Sequence, residues 1–164
     1  MRKAFVSTLI ELAEQDNRVI LLTADLGFMA LEPFAERFPK RFINVGVAEQ
    51  NMIGLATGLA EAGLLPFAYS IAPFAVFRPF EFIRNGPIQH RLPVRLVGMG
   101  GGVAYGLNGL SHFALEDVGL MRSQPAMRVV VPADHEQARA CIRATWEEEG
   151  PIYYRLEKDD VTVT

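Results

Sequence analysis

A carboxylate at the start of an apolar helix is the first candidate for chemistry. Glu49 follows Gly46 and opens a predicted helix over residues 48–62, whose other residues are mostly small or apolar. A carboxylate in a first helical turn is stabilised by the helix dipole, by about 0.3–1 kcal/mol. The same side chain could instead accept a hydrogen bond from a ligand and hold it for proton transfer. The residues around Glu49 leave both interpretations open.

A second candidate region is a glycine-rich segment, residues 98–109, which is followed by Ser111 and His112. It does not fit the dinucleotide fingerprint G-x-G-x-x-G, because Val103 or Tyr105 stands where the last glycine should be. It does not fit a P-loop either, because the sequence has no Gly-Lys-Ser or Gly-Lys-Thr. We interpret it as a loop at which a ligand or another chain can approach the backbone closely. The histidine either orders this loop by a hydrogen bond or contacts a substrate.

Aromatic side chains are concentrated between the predicted third strand and the helix after it. They are Phe67, Tyr69, Phe74, Phe77, Phe80 and Phe82. Most should belong to the core or an interface, but one at a strand end could stack on a flat heterocycle. The three histidines and Cys141 lack metal-ligand spacing, so we expect no metal ligands on this chain.

The elements that must position these groups alternate between short apolar strands and helices. Strands are predicted at 19–22, 42–45, 65–69, 94–97, 128–131 and 152–154, and helices at 2–15, 31–38, 48–62, 73–85, 116–122 and 135–148. This alternation predicts an α/β fold: a three-layer sandwich with a mostly parallel sheet flanked by helices. Ligands of such sheets bind beyond the carboxyl ends of the strands, which here carry residues 23–25, 46–49, 70–74 and the glycine-rich segment.

Composition restricts the remaining classes of function. The chain has 164 residues, a net charge of -3, one cysteine and scattered basic residues. It therefore predicts one domain without a nucleic-acid patch, a membrane span or an internal disulfide, in the cytoplasm. The stretch after Tyr154 is charged and reads as the beginning of a linker. We place the domain at residues 1–157 and a linker or tail at 158–164.

Several of these motifs occur in an order that resembles a known family. They are LTADL (22–26), FINVGVAEQNM (42–52), Ser111-His112, Glu116-Asp117, LMR (120–122) and VPAD (131–134). The ordered set resembles the pyrimidine-binding domain of transketolases, and also of deoxyxylulose-phosphate synthases and the beta subunits of 2-oxo acid dehydrogenases. The resemblance covers nearly the whole chain and favours the functional interpretation of Glu49.

The resemblance implies a thiamine diphosphate enzyme and assigns roles to particular residues. In that family, the glutamate matching Glu49 bonds a ring nitrogen of the cofactor's aminopyrimidine and thereby promotes proton removal from the thiazolium carbon. The histidine matching His112 contacts substrate, so Glu49 and His112 are the catalytic candidates. The cofactor-binding candidates are Asp25, Leu26, Glu49, Ile71 and Phe74, with Phe74 stacking on the pyrimidine.

Departures from the family pattern concern the substrate and the partner. Sugar transketolases usually carry a histidine where this chain has Gly100, an acidic Gly-Glu-Asp-Gly stretch where it has residues 106–109, and a glutamine where it has Phe113. The groups that bind sugar hydroxyls are therefore missing or altered, which makes a modified sugar or a 2-oxo acid a plausible donor. Gly-Asp-Gly is absent, so Mg²⁺ and the diphosphate are assigned to a partner, a diphosphate-binding transketolase subunit. We expect a homo- or hetero-oligomer that transfers a two-carbon ketol unit between sugars or sugar phosphates, with no turnover by this chain alone. The alternatives are a beta-type component of a 2-oxo acid dehydrogenase, a deoxyxylulose-phosphate-synthase-like enzyme, and a non-catalytic assembly module.

Overall fold

The computed structural model describes residues 1–158 and shows one parallel sheet. Its six strands are β1 (Val19–Thr23), β2 (Phe42–Asn44), β3 (Leu65–Ile71), β4 (Arg95–Met99), β5 (Arg128–Val130) and β6 (Ile152–Leu156). Their order across the sheet is β2-β1-β3-β4-β6-β5, and every pair is parallel. The central strands are buried along their whole length, which explains why their sequences are mostly apolar.

Helices cover both faces of the sheet and complete the predicted three layers. They are α1 (Arg2–Gln15), α2 (Glu32–Arg37), α3 (Glu49–Glu61), α4 (Ala72–Val76), α5 (Phe80–Ile83), α6 (Asp117–Arg122) and α7 (His135–Thr145). One core lies under α1, α2 and α7 and includes Phe5, Phe34 and Ile142. The other lies under α3 to α6 and includes Ile53, Val76 and Met121. The predicted fold class is therefore confirmed.

The predicted helix over 73–85 is wrong in its middle, where the chain forms two short helices instead. Pro73 is tolerated in the first turn of α4, because that position needs no backbone N–H donor. Pro79 falls after α4, where a continued helix would require its missing N–H and would clash with the carbonyl four residues earlier. A π-helical turn then follows α5 over Arg84–Ile88. This break places Arg78 between the two helices.

The end of the chain also differs from the prediction. Helix α7 stops at Thr145 rather than at residue 148. The guanidinium of Arg95 donates to the main-chain carbonyls of Trp146 (2.9 Å), Glu148 and Gly150 (2.6 Å), which fixes a loop there. Strand β6 continues to Leu156, so Arg155 belongs to the sheet and not to a linker. Of the predicted tail at 158–164, residues 159–164 lie outside the described residues.

No helix within residues 1–158 is both long and apolar enough to cross a membrane.

Candidate active site

The predicted ligand edge contains the point at which the sheet changes direction. After β1 the chain moves to β2 on one side, and after β2 it crosses back to β3 on the other. The loops that follow β1 and β3 therefore diverge and leave a crevice between them, which is the usual ligand position in open parallel sheets. Asp25 and Leu26 lie on the first of these loops, and Ile71 and Phe74 lie on the second.

Glu49 is the first residue of α3 and enters the helix from a tight turn. Gly46 adopts a φ of 74°, in the left-handed region that glycine tolerates, and Ala48 N–H donates to the Gly46 carbonyl at 2.7 Å. The side chain is nearly buried, because the residue is 3% exposed. Its Oε1 accepts a hydrogen bond from Arg78 Nη1 at 2.9 Å. The carboxylate is thus at the helix end, at the ligand edge, and paired with one cation.

Phe74 and Arg78 form the second part of the site. Phe74 lies within α4, and Arg78 follows four residues later, just after the helix ends. The Arg78 guanidinium carbon lies 3.6 Å from the centroid of the Phe74 ring, in a cation–π contact. Phe74 is 8% exposed, whereas the Arg78 side chain is 43% exposed. Arg78 therefore lies between the aromatic ring and solvent and contacts Glu49 at the same time.

His112 lies against Phe74 from the glycine-rich side. Two short 3-10 turns, Gly106–Asn108 and Leu110–His112, shape this segment. The centroids of the His112 and Phe74 rings are 4.9 Å apart in an edge-to-face arrangement. The centroids of the His112 and Tyr105 rings are 6.1 Å apart. Ser111 Oγ lies 3.0 Å from His112 Nδ1. With that nitrogen occupied, Nε2 is the one that a substrate group could meet.

The remaining predicted residues lie after β1 and at the end of β3. Asp25 has a φ of 56°. The side chain of Asn44 holds it there, since Oδ1 accepts from Asp25 N–H (2.9 Å) and Nδ2 donates to the Asp25 carboxylate (3.1 Å). The Thr23 hydroxyl donates to the Leu26 carbonyl at 2.8 Å. Ile71 ends β3 as the N-cap of α4 and is buried.

A buried polar network lies behind the glycine-rich segment. The Tyr153 hydroxyl donates to Asp117 Oδ2 at 2.7 Å, and Arg155 Nε is 3.7 Å from the same oxygen. Burial, followed by the nearby Asp117 carboxylate, raises the pKa of Tyr153 well above its ordinary value. A Cβ at Gly98 would lie 2.6 Å from the Tyr153 hydroxyl oxygen, and one at Gly101 would overlap the Arg155 guanidinium. The groups that approach these two glycines closely therefore come from this chain itself.

The structure brings three of the predicted residues, Glu49, Phe74 and His112, into one connected group. The residue that connects the first two is Arg78, for which the sequence predicted no role. The four-residue spacing of Phe74 and Arg78 indicates their contact, but the pairing with Glu49 depends on how α3 and α4 pack. Among residues 1–158, no group of three or more His, Cys, Asp or Glu side chains could hold a metal ion.

Comparisons with known proteins agree on one family. Residues 1–163 match the family described as transketolase, pyrimidine binding domain. The chain is 42% identical over 164 residues to a Methanocaldococcus jannaschii protein named as a transketolase C-terminal section, covering 99% of this chain and 52% of that protein. It is 40% identical over 157 residues to a 6-deoxy-6-sulfo-D-fructose transketolase subunit from a Clostridium species, covering 95% and 49%.

A solved structure shows the same similarity in three dimensions. It is a split gene transketolase described as an inactive beta4 tetramer, with 41% sequence identity and a TM-score of 0.87. The match covers 99% of this chain and 52% of that chain. This chain thus spans about half the length of the relatives it matches.

Proposed function

Because the chain belongs to the transketolase pyrimidine-binding domain family, we propose that it supplies the aminopyrimidine half of a thiamine diphosphate site that a second polypeptide completes. One observation carries this proposal. The carboxylate of Glu49 and the ring of Phe74 lie close enough for one planar group, the Arg78 guanidinium, to contact both. A flat heterocycle with N–H groups at its edge requires that same combination of a hydrogen-bond acceptor and an aromatic face.

The residues present fit the aminopyrimidine. Glu49 offers an anionic acceptor for a protonated ring nitrogen, Phe74 offers a stacking surface and Ile71 an apolar wall. When bound, the cofactor supplies an acidic thiazolium carbon whose deprotonated form adds to carbonyl groups. The role of Glu49 is to hold a proton at the ring nitrogen by its hydrogen bond. The roles of Asp25 and Leu26 are to line the crevice beside the cofactor.

We assign His112 to the substrate rather than to the cofactor. Its Nδ1 is occupied by Ser111, which leaves Nε2 to donate to or accept from a hydroxyl or carbonyl of a two-carbon donor. The loop before it exposes Leu107 and Leu110, at and beside the positions where sugar transketolases present acidic groups. An apolar loop of this kind favours a donor with fewer hydroxyl groups to recognise, such as a modified sugar, and keeps a 2-oxo acid donor as the alternative.

The partner in this proposal holds the diphosphate and Mg²⁺. The outer face of α3 is exposed at Gly54, Leu55 and Gly58. A Cβ at Gly58 would meet nothing within 4 Å, and one at Gly54 would meet only the Phe82 ring, at 3.9 Å. Phe82 is 45% exposed beside Gly54. An apolar face with small side chains permits close approach of another backbone, next to the buried Glu49. We therefore propose that α3 lies at the interface between the subunits of a homo- or hetero-oligomer.

The test is substitution of Glu49 in the assembled enzyme. The diphosphate-binding subunit is first sought in the neighbouring reading frame, as a protein that contains Gly-Asp-Gly and an asparagine pair. This chain is then co-purified with that subunit. Two-carbon transfer is then measured with a panel of ketose, modified-sugar and 2-oxo acid donors. Glu49→Gln keeps the shape of the side chain and removes its charge, so we expect kcat to fall by about 10²–10⁴-fold without loss of the complex on gel filtration. Glu61→Gln, at the exposed far end of α3, is the matched control and should keep full activity.

Two results would overturn the proposal. Activity of this chain without a partner contradicts a shared site. Activity of the Glu49→Gln complex equal to that of the Glu61→Gln complex contradicts the role of the carboxylate and favours a non-catalytic assembly module. The donor panel separates a transketolase from a 2-oxo acid dehydrogenase component or a deoxyxylulose-phosphate-synthase-like enzyme.

A further inference from the structure

Arg78 makes both of the contacts that the proposed function assigns to the cofactor's aminopyrimidine. It donates to Glu49 Oε1 at 2.9 Å and covers the ring of Phe74 at 3.6 Å. We propose that Arg78 is an internal stand-in for the aminopyrimidine: it masks the cleft between Glu49 and Phe74 in the free chain, and planar N–H donors compete with it for that cleft. This inference rests on the proposed function, because it concerns the same site.

The Arg78 guanidinium covers one face of the Phe74 ring, which a stacked ligand would also need. Phe74 is only 8% exposed, with Arg78 over one face and the imidazole of His112 at its edge. The covering side chain of Arg78 is itself 43% exposed, so the accessible side of the Phe74 ring is the side that it covers. A second planar group can stack there only after the guanidinium has left.

The chemistry of the two groups explains why one cleft accepts either. A guanidinium is planar and delocalised and presents several N–H donors at its edge. A protonated aminopyrimidine is also planar, cationic and edged with N–H donors. Both gain a charge-assisted hydrogen bond from a carboxylate and a cation–π contact from an aromatic ring. The cleft is therefore selective for planar N–H cations rather than for one molecule.

The Arg78 side chain can be displaced because the residue lies between two short helices, α4 and α5. It lies after α4 and immediately before Pro79, where no helical hydrogen-bond ladder fixes the backbone to both sides. Its side chain is nearly half exposed, so its charge returns to water when it leaves. Glu49, by contrast, is held at the buried start of α3 and keeps its position for either occupant. The apparent affinity for the pyrimidine is then the intrinsic affinity reduced by the fraction of chains whose cleft is open.

The test measures binding of 4-amino-5-hydroxymethyl-2-methylpyrimidine to this 164-residue chain by ligand-observed NMR and calorimetry. Arg78→Ala should bind this probe at least about tenfold more tightly than the parent chain. Arg78→Met, which keeps the apolar stem packed, should behave alike and covers the case in which the alanine variant does not fold. Arg122→Ala removes an exposed arginine from α6 and should leave binding unchanged. Methylguanidinium should displace the probe from Arg78→Ala.

One further variant separates masking from other effects. The double variant Glu49→Gln with Arg78→Ala should lose most of the gain, because both occupants need the carboxylate. The inference is overturned if folded Arg78→Ala or Arg78→Met binds the probe no more tightly than the parent chain does. The same holds if neither the variants nor the parent chain show detectable binding. A gain in affinity that persists without Glu49 also overturns it. The proposed function fails separately, on the activity of the Glu49→Gln complex.

Discussion

A single hydroxyl group links the buried start of α6 to β6, and its removal gives a quantitative test of that connection. Tyr153 lies in β6 and donates to Asp117 Oδ2 at 2.7 Å. Asp117 is 1% exposed, and among the described residues its Oδ1 has no hydrogen-bond partner. Tyr153→Phe removes only the hydroxyl group, so neither a cavity nor a change of backbone is introduced.

The expected loss in free energy of unfolding depends on which partners the Asp117 carboxylate keeps. A hydrogen bond to a charged group is worth about 1.5–3 kcal/mol. After the substitution, Arg155 Nε at 3.7 Å is beyond hydrogen-bonding distance, so its attraction compensates only in part. We expect the free energy of unfolding to fall by about 2–3 kcal/mol. With a urea m-value of about 2 kcal/mol/M for a domain of this size, the midpoint should drop by about 1–1.5 M.

The neighbouring tyrosine is a matched control. The Tyr154 hydroxyl bonds the neutral hydroxyl of Thr145 at 2.7 Å, so Tyr154→Phe should cost only about 0.5–1.5 kcal/mol. Urea unfolding is followed by far-UV circular dichroism at one fixed protein concentration, because association shifts apparent stability. A Tyr153→Phe cost no larger than that of Tyr154→Phe would refute the reasoning that a buried charge depends on this bond.

Two further predictions concern buried titratable groups. Arg95→Met should lower the free energy of unfolding by about 2–5 kcal/mol in urea melts, because three bonds to main-chain carbonyls are lost. This range already allows for an offset: burial lowers the pKa of Arg95 to about 10, and removing the buried charge returns about 3 kcal/mol. An unchanged urea midpoint would contradict the prediction. Burial raises the pKa of Tyr69 to about 12 and raises those of Tyr153 and Tyr154. For Tyr69 the stabilisation is complete below about pH 10, and about 3 kcal/mol is lost as the pH rises to about 12. The stabilisation from Tyr153 and Tyr154 is lost in the same direction, as the pH rises. Their tyrosinate absorbance at 295 nm should therefore rise together with unfolding and not before it.

The sequence predicted the sheet and most of its helices because their signals are local. The buried parallel strand β1, for example, is mostly an apolar run. Asp134 caps α7 by accepting a hydrogen bond from Gln137 N–H at 2.8 Å, as short polar residues do at helix starts. The fold class, the family and the four loops at the carboxyl edge could therefore be inferred. The roles of Asp25, Leu26, Glu49, Ile71, Phe74 and His112 stay predictions until the proposed experiments are done.

The errors arose where distant residues decide the local structure. Helix α7 ends at Thr145 because Arg95, fifty residues earlier, binds the carbonyls that follow it. The charged residues after Tyr154 suggested a linker, but Arg155 is drawn into the sheet beside Gly98 and ion-pairs with the buried Asp117. A periodic pattern carries no information about such long-range bonds.

The sequence by itself determined which residue types stand at the carboxyl ends of the strands, because strand order along the chain and apolar periodicity are local properties. Tertiary structure alone decided that Arg78 pairs with Glu49 while it stacks on Phe74, and that Asp117 and Tyr153 share a buried bond. The Arg78–Glu49 bond joins residues 29 apart in the chain, and the Tyr153–Asp117 bond joins residues 36 apart. Their geometry depends on how helices pack on a twisted sheet, which no single segment of the chain encodes.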